Sequence, residues 1–463
     1  MTAAAPPVGA RRAGDTQVAL AEIRRMFEGV IPAVLCTVSA EGVPHLCYLS
    51  QAEYVDPEHV ALSFQFFNRS RQNILATGRA ALTVDDPYTA GGVRLQLQYL
   101  RTEHEGPLFE RMKAKLAGIA SHSGMDKVYH LRGSDVYRVL EVQRLLGRRE
   151  LAAPKARCDL PSATRRLSER LAACAEMGQL LDEAMAGLRE QLLIDHAMLL
   201  LLDPASQRLY TVASLGYAAS GLGAEIEMGQ GVAGIAAREG VALRVGHLTL
   251  WQTYARAIRQ RAEEQGLAAG EEEIPLPGLA EPRSQMAVPL KLQGRVLGVL
   301  LLESEQDQHF SYDDEDALTI LCTQLALQMS LLQGGAAEPE AAAGPGPAAA
   351  PPPMRGEPLL LRHYAHNDSV FLGQDYLIKG VAGAILRVLA EDWLASGRCE
   401  FSNRELRLDP RLKLPDVVDN LEARLILLQR RLAERAAPLR IEKSGRGRWR
   451  LLLERPLRLE RLD

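Results

Sequence analysis

Ser284-Gln-Met-Ala-Val-Pro-Leu-Lys-Leu-Gln-Gly-Arg-Val-Leu-Gly-Val-Leu-Leu-Leu-Glu-Ser304 decides how the middle of this chain folds. Met286 to Leu292 and Val296 to Leu302 are apolar runs separated only by Gln293, Gly294 and Arg295, which predicts two buried strands around a tight turn. Working outward, Ala197 to Leu202 and Leu209 to Ala213 predict two further strands. Downstream, Phe310-Ser-Tyr-Asp-Asp-Glu-Asp316 opens a helix carrying Leu318, Leu321, Leu325 and Met329, with Ser311 as N-cap and an acidic first turn that suits the helix dipole. Upstream, Leu167, Leu171, Cys174, Met177, Leu181 and Met185 keep helical spacing and predict one long helix with a single buried stripe.

Together with Gly229-Gln-Gly-Val-Ala-Gly234, these elements resemble in their order a GAF sensory domain. The resemblance implies sensing rather than turnover, with the Ser284–Ser304 hairpin as the floor of a ligand pocket. A long insertion between Val245 and Gln285 holds His247, Trp251 and Tyr254, the candidate ligand-binding residues, since loops over a concave sheet set specificity. Trp251 and Tyr254 share a face if helical, either to stack on a planar ligand or to pack on their own core. No cysteine lies between Cys174 and Cys322, which argues against a bilin, and the Asn-Lys-x-Asp-Glu pattern of cyclic-nucleotide GAF domains is absent. A small metabolite, haem, or an empty dimerisation module remain open. Pairing of the entry and exit helices with a second copy would give a homodimer.

A chain of 463 residues accommodates about three domains. The net charge of -4 excludes a uniformly basic nucleic-acid binder but can hide one basic domain. Six cysteines without a C-x-x-C spacing suggest neither zinc nor a disulfide framework. With no apolar run of about 18 residues and no secretion signal, a cytoplasmic protein without membrane contact is expected. The predicted layout is multidomain α+β: a disordered lead over 1–15, a split-barrel-like domain over 16–150, the GAF domain over 162–333, an Ala/Pro/Gly linker over 334–356, and a winged-helix-like module over 357–463.

In the first domain, Ile31 to Val38 and Val43 to Leu49 flank a Gly42 turn, and His59 to Phe66 follows. Asn68-Arg-Ser-Arg-Gln-Asn73 then turns into a short helix before the strand Ala80 to Val84. This succession resembles the FMN-binding split barrel of pyridoxamine 5'-phosphate oxidase relatives. By that resemblance Arg69, Ser70, Arg71 and Asn73 would hold the FMN phosphate, by cationic charge and exposed helix amides. The family more usually has lysine near Arg71, and such a turn is also a common solvated loop. His45, His104, His122 and His130 keep haem open as an alternative cofactor. Leu108 to Leu116 reads as an amphipathic helix, and no catalytic residue or metal ligand is assigned.

In the last module, Gly380 to Leu394 reads as a helix, Glu400 to Leu406 as a helix start capped by Ser402 or Asn403, and Pro415 as the start of a second long helix with Val418, Leu421, Leu425, Leu428 and Leu432 inward. Leu439 to Leu453 closes as two strands around Gly445-Arg446-Gly447. This resembles the wing of winged-helix response-regulator output domains. Arg424, Arg446, Arg448 and Arg450 would then face duplex DNA, with a protein partner as the alternative. The chain as a whole reads as a one-component regulator sensing a small ligand or redox state. Its rival is a flavin-dependent oxidoreductase with regulatory appendages.

Overall fold

The computed structural model describes residues 17–27, 32–49, 51–64, 69–123, 131–147, 150–246, 274, 276–334, 356–412, 414 and 420–463, with side chains to 117 and to 333 in the segments ending at 123 and 334. Contacts divide the chain into two compact units: Met1–Ala156 with Val245–His247 and Gln308–Asp313, and Arg157–Arg244 with Leu248–Asp307 and Asp314–Asp463. The expected lead, and 335–355 of the expected linker, lie outside the described residues, while Gly334 ends a helix.

The first unit runs β1 (Ala33–Val38), β2 (Pro44–Leu49), β3 (Ala52–Asp56), β4 (His59–Phe64), α1 (Arg69–Thr77), β5 (Arg79–Asp85), β6 (Gly92–Glu103), α2 (Pro107–Ser123) and β7 (Gly133–Arg144). Its seven strands form one antiparallel sheet ordered β2-β1-β5-β6-β7-β4-β3. The expected strands and short helix are present. Strand β6 was not anticipated, although Val93, Leu95 and Leu97 are buried and Arg94, Gln96 and Gln98 exposed, the period of two that a half-buried strand requires.

The second unit starts with α3 (Leu160–Ala172) and α4 (Met177–Leu192), where the stripe of apolar residues predicted a single helix. The chain breaks at Ala173 to Glu176 and folds back, so that a methyl added at Gly187 would overlap Leu167. Arg170 bridges the pair, 2.6 Å from both Glu183 and Glu190. Each helix turns the same stripe to the shared core, which is why the spacing alone did not reveal the break.

Next come β8 (His196–Asp203), β9 (Arg208–Leu215), β10 (Glu225–Glu227), α5 (Gly231–Glu239), β11 (Leu243–Val245), β12 (Ser284–Leu292), β13 (Arg295–Ser304) and α6 (Tyr312–Gly334), with sheet order β10-β9-β8-β13-β12-β11. The β12–β13 hairpin pairs Met286 with Leu302 and Val288 with Leu300. Its two-residue loop, Gln293-Gly294, has φ of 50° and 78°, the left-handed pair that matches strand twist. The Gly229–Gly234 motif also has a steric cause: a methyl at Gly234 would strike the Glu227 carbonyl, so α5 starts against the chain that feeds it. On α6, Leu318, Leu321, Leu325 and Met329 are buried as expected.

The C-terminal module continues with β14 (Leu359–Tyr364), β15 (Ser369–Leu372), β16 (Asp375–Ile378), α7 (Gly380–Ser396), β17 (Glu400–Ser402), α8 (Asn403–Leu408), α9 (Leu421–Glu434), β18 (Leu439–Gly445), β19 (Arg448–Leu453) and β20 (Leu457–Leu462). Two sheets result, ordered β16-β15-β14-β20 and β17-β19-β18. Ser402 and Glu405 form the capping box at α8. Helix α9 starts after the position expected from Pro415, because Asn420 is non-helical and its side chain caps Ala423 N at 3.0 Å; Pro415 to Asp419 lie outside the described residues.

Candidate functional site

The central sheet of the second unit places a polar row across one end of a buried apolar face. Gln285 on β12 pairs with Glu303 on β13, and Glu303 pairs with His196 on β8, so the three side chains share a face. Tyr217, just beyond β9, lies with its ring 5.4 Å from that of His196. Glu303 is only 5% exposed, and its carboxylate accepts from Tyr217 Oη at 3.0 Å, Gln285 Nε2 at 2.6 Å and Leu279 N at 3.1 Å. Three donors satisfy a buried charge that would otherwise be costly. Burial, reinforced by the Glu303 charge, pushes the Tyr217 hydroxyl well above its ordinary range, so it stays a neutral donor.

Thr211 lies on the same face: it pairs with Leu200, which pairs with Val299, four residues along β13 from Glu303. It is fully buried, and its Oγ1 has no hydrogen-bond partner among the described residues. The face thus carries a carboxylate engaged by three donors at one end and a buried hydroxyl without a partner among the described residues further along. Neither Glu303 nor Thr211 was singled out by sequence. The signal was weak, because a carboxylate at a strand end reads as solvated until Leu279 and Tyr217 are brought to it. His247, Trp251 and Tyr254 lie outside the described residues.

In the first unit, α1 carries the four residues expected at a phosphate. Arg69 is exposed in the first turn. Arg71 is buried; it donates to Asp135 and, at 2.8 Å, to Thr102 Oγ1, which itself donates to Asp135 at 2.6 Å. Phe64 stacks on the guanidinium at 4.3 Å. Ser70 meets Cys47 Sγ at 3.1 Å, and Asn73 donates to Thr37 Oγ1 at 3.1 Å. These residues do not fit an FMN phosphate as a set: Asp135 neutralises Arg71 and would repel a dianion placed beside it, leaving Arg69 and the helix amides. Of the histidines, His104 meets the Arg132 carbonyl at 2.7 Å, His45 is half-buried on β2, and the side chains of His122 and His130 are not described. Among the described residues no cluster of three or more His, Cys, Asp or Glu could hold a metal ion.

The C-terminal arginines are not one patch. Arg446 occupies the hairpin turn, with Arg448 and Arg450 on β19, and Arg450 pairs with Glu400 at 2.5 Å. Trp449, 1% exposed, fixes the hairpin to α8 by donating to Asn403 Oδ1 at 2.9 Å. Arg424 is elsewhere. Its guanidinium lies 3.6 Å over the Tyr210 ring and 3.3 Å from Asp203, with a side chain 4% exposed, so it packs on β8 and β9 and does not face a DNA groove. Arg430 likewise donates to Val212 O at 3.0 Å and Asp182 at 2.6 Å. Desolvation lowers the Arg430 pKa, partly opposed by Asp182. Ala423, Ile426 and Leu427 are buried on the same helix, so α9 is enclosed on nearly all sides.

A protein-family model described as GAF domain matches residues 176–329, and this stretch, from the start of α4 into α6, is a GAF domain. Among solved structures, the GAF domain of an Acinetobacter phosphoenolpyruvate-protein phosphotransferase is similar at 22% identity, covering 38% of this chain and 94% of that one, with a TM-score of 0.30. An FMN-binding protein from Syntrophomonas wolfei subsp. wolfei is similar at 19% identity over 28% of this chain and 87% of that chain, TM-score 0.24. HupZ of Group A Streptococcus is similar at 15% identity over 29% and 100%, TM-score 0.22. No curated protein sequence matches the chain. No described helix is long and apolar enough to cross a membrane.

Proposed function

We propose that this protein is a signalling regulator in which the GAF domain takes a small polar ligand and the C-terminal module, a winged-helix-like fold, delivers the output to duplex DNA. The observation that carries the reading is the direct packing of that module on the GAF domain through α9, which gives a sensor and an output element one shared interface. The DNA contact belongs to the hairpin arginines Arg446, Arg448 and Arg450, with Arg424 removed from that set. Ile320, Leu327 and Leu331, exposed along α6, supply an apolar stripe for a second copy of the chain.

The test is fluorescence anisotropy of the full chain with duplexes enriched from a random-sequence pool. DNA binding through phosphates weakens as salt rises, with a logarithmic slope of about -0.9 per phosphate neutralised. Arg446→Ala should flatten that slope by roughly one contact. A folded chain that shows no salt-sensitive binding refutes the DNA output.

A further inference from the structure

We propose that β9 and the loop after it, Gly216–Ala224, form the mechanical link through which the ligand face of the GAF domain controls the C-terminal module. The proposal rests on reading these two parts as sensor and output. Strand β9 has one side in each. Thr211 lies on the ligand face, whereas its neighbours hold α9: the Tyr210 ring carries Arg424 at 3.6 Å, and the Val212 carbonyl accepts from Arg430 at 3.0 Å.

The backbone of Thr211 is tied to the end of the loop, donating to Ala224 O and accepting from Gly223 N, both at 2.9 Å. Gly221 and Gly223 have φ of 60° and 81°, so both favour glycine for conformation, and Gly221 also for space. A methyl at Gly221 would overlap Pro277; one at Gly223 would come within 3.1 Å of Ile274 Cδ1 and 3.8 Å of Ile378 Cδ1. The turn is thus closed against Pro277 in the chain entering β12, and its polar contacts to the C-terminal module run through Ser220 and Glu225.

Both ends of this contact are anchored. On the side of the polar row, Glu303 holds Leu279 N, two residues beyond Pro277. On the output side, Ser220 Oγ donates to Glu434 at 2.7 Å, and Glu225 lies 3.4 Å from Lys379 at the start of α7. A shift of Pro277 against Gly221 is therefore passed through Ser220 to Glu434 in the last turn of α9 and through Glu225 to Lys379. Such coupling acts in both directions.

Hydrogen–deuterium exchange of the full chain measures it without a ligand or DNA. Glu303→Gln weakens the hold on Leu279, and exchange should rise in residues 276–283 and, by at least about threefold, in α9, while β18 and β19 stay unchanged. In a Ser220→Ala background, which removes the hydrogen bond to Glu434, the rise in 276–283 should persist and the increment in α9 should vanish. Tyr217→Phe, which keeps the carboxylate and two of its three donors, gives the same pattern at smaller amplitude and serves if Glu303→Gln does not fold. Loosening of 276–283 with α9 unmoved, or an α9 increment undiminished by Ser220→Ala, overturns the link. Absence of DNA binding with the coupling intact would refute the output assignment and leave the link standing.

Discussion

Replacing Arg424 by Ala removes a guanidinium stacked 3.6 Å over Tyr210 and 3.3 Å from Asp203, with 4% of its side chain exposed. A desolvated cation–π pair contributes about 2 kcal/mol. The ion pair adds about 1 kcal/mol, because Asp203 retains 14% side-chain exposure and is partly hydrated in either case. The sum predicts a loss of about 3 kcal/mol. Trp393 and Trp449 lie in the C-terminal module and Trp251 in the GAF insertion, so urea unfolding followed by tryptophan fluorescence in a Trp251→Phe background reads the effect where it arises. Arg424→Lys keeps the charge but loses the flat stack and should recover about 1 kcal/mol of the loss. The reasoning is refuted if Arg424→Ala costs less than about 0.5 kcal/mol, or if it weakens DNA binding while stability is unchanged, since the residue would then face DNA.

Gly187→Ala forces a methyl into Leu167 and should destabilise the α3–α4 pair by about 1–3 kcal/mol, measurable by urea denaturation; an unchanged midpoint would mean the helices separate without cost. Burial pushes the Cys322 thiol far above its ordinary range, so a thiol-specific reagent should label it only after unfolding, and rapid labelling of the native protein would contradict its enclosure. The hydrogen bond from Arg411 holds the Asp409 carboxyl below the ordinary aspartate range, so its contribution is present above that range and is lost as pH falls through the lowered folded value. The stability gap between wild type and Asp409→Asn should therefore be constant near neutrality and close in strong acid; a gap that widens on acidification would reverse the sign.

The four central strands of the GAF domain were legible because long apolar runs bounded by turn residues leave few alternatives. Its hairpin loop was equally plain in Gln293-Gly294. The division between α3 and α4 was not, since no glycine or proline marks it and the stripe continues through the break. Strands β14, β15, β16 and β20 are short, and β20 pairs in parallel with β14 across most of the module, a relation that local patterning does not encode. The same distinction applies to the sites. Arg69 to Asn73 could be placed on the first turns of a helix, but the partner that neutralises Arg71, Asp135, comes from a strand on the far side of the unit's chain path. Arg424 read as an outward cation because a helical wheel shows what leaves one module's core and not what covers it.

The parallel pairing of Leu359–Tyr364 with Leu457–Leu462 has a consequence for how the protein is made. Helices α7 and α9 have their contacts available early, but the strand that precedes them waits for a partner made after every other part of the module has been synthesised. Long-range pairing of this kind is slow, and until it forms, one side of β14 is an open edge able to pair with another chain. A ribosome that stalls before Leu457 would thus leave an already folded GAF domain above a C-terminal module with an unguarded strand, a state prone to aggregation and open to quality control.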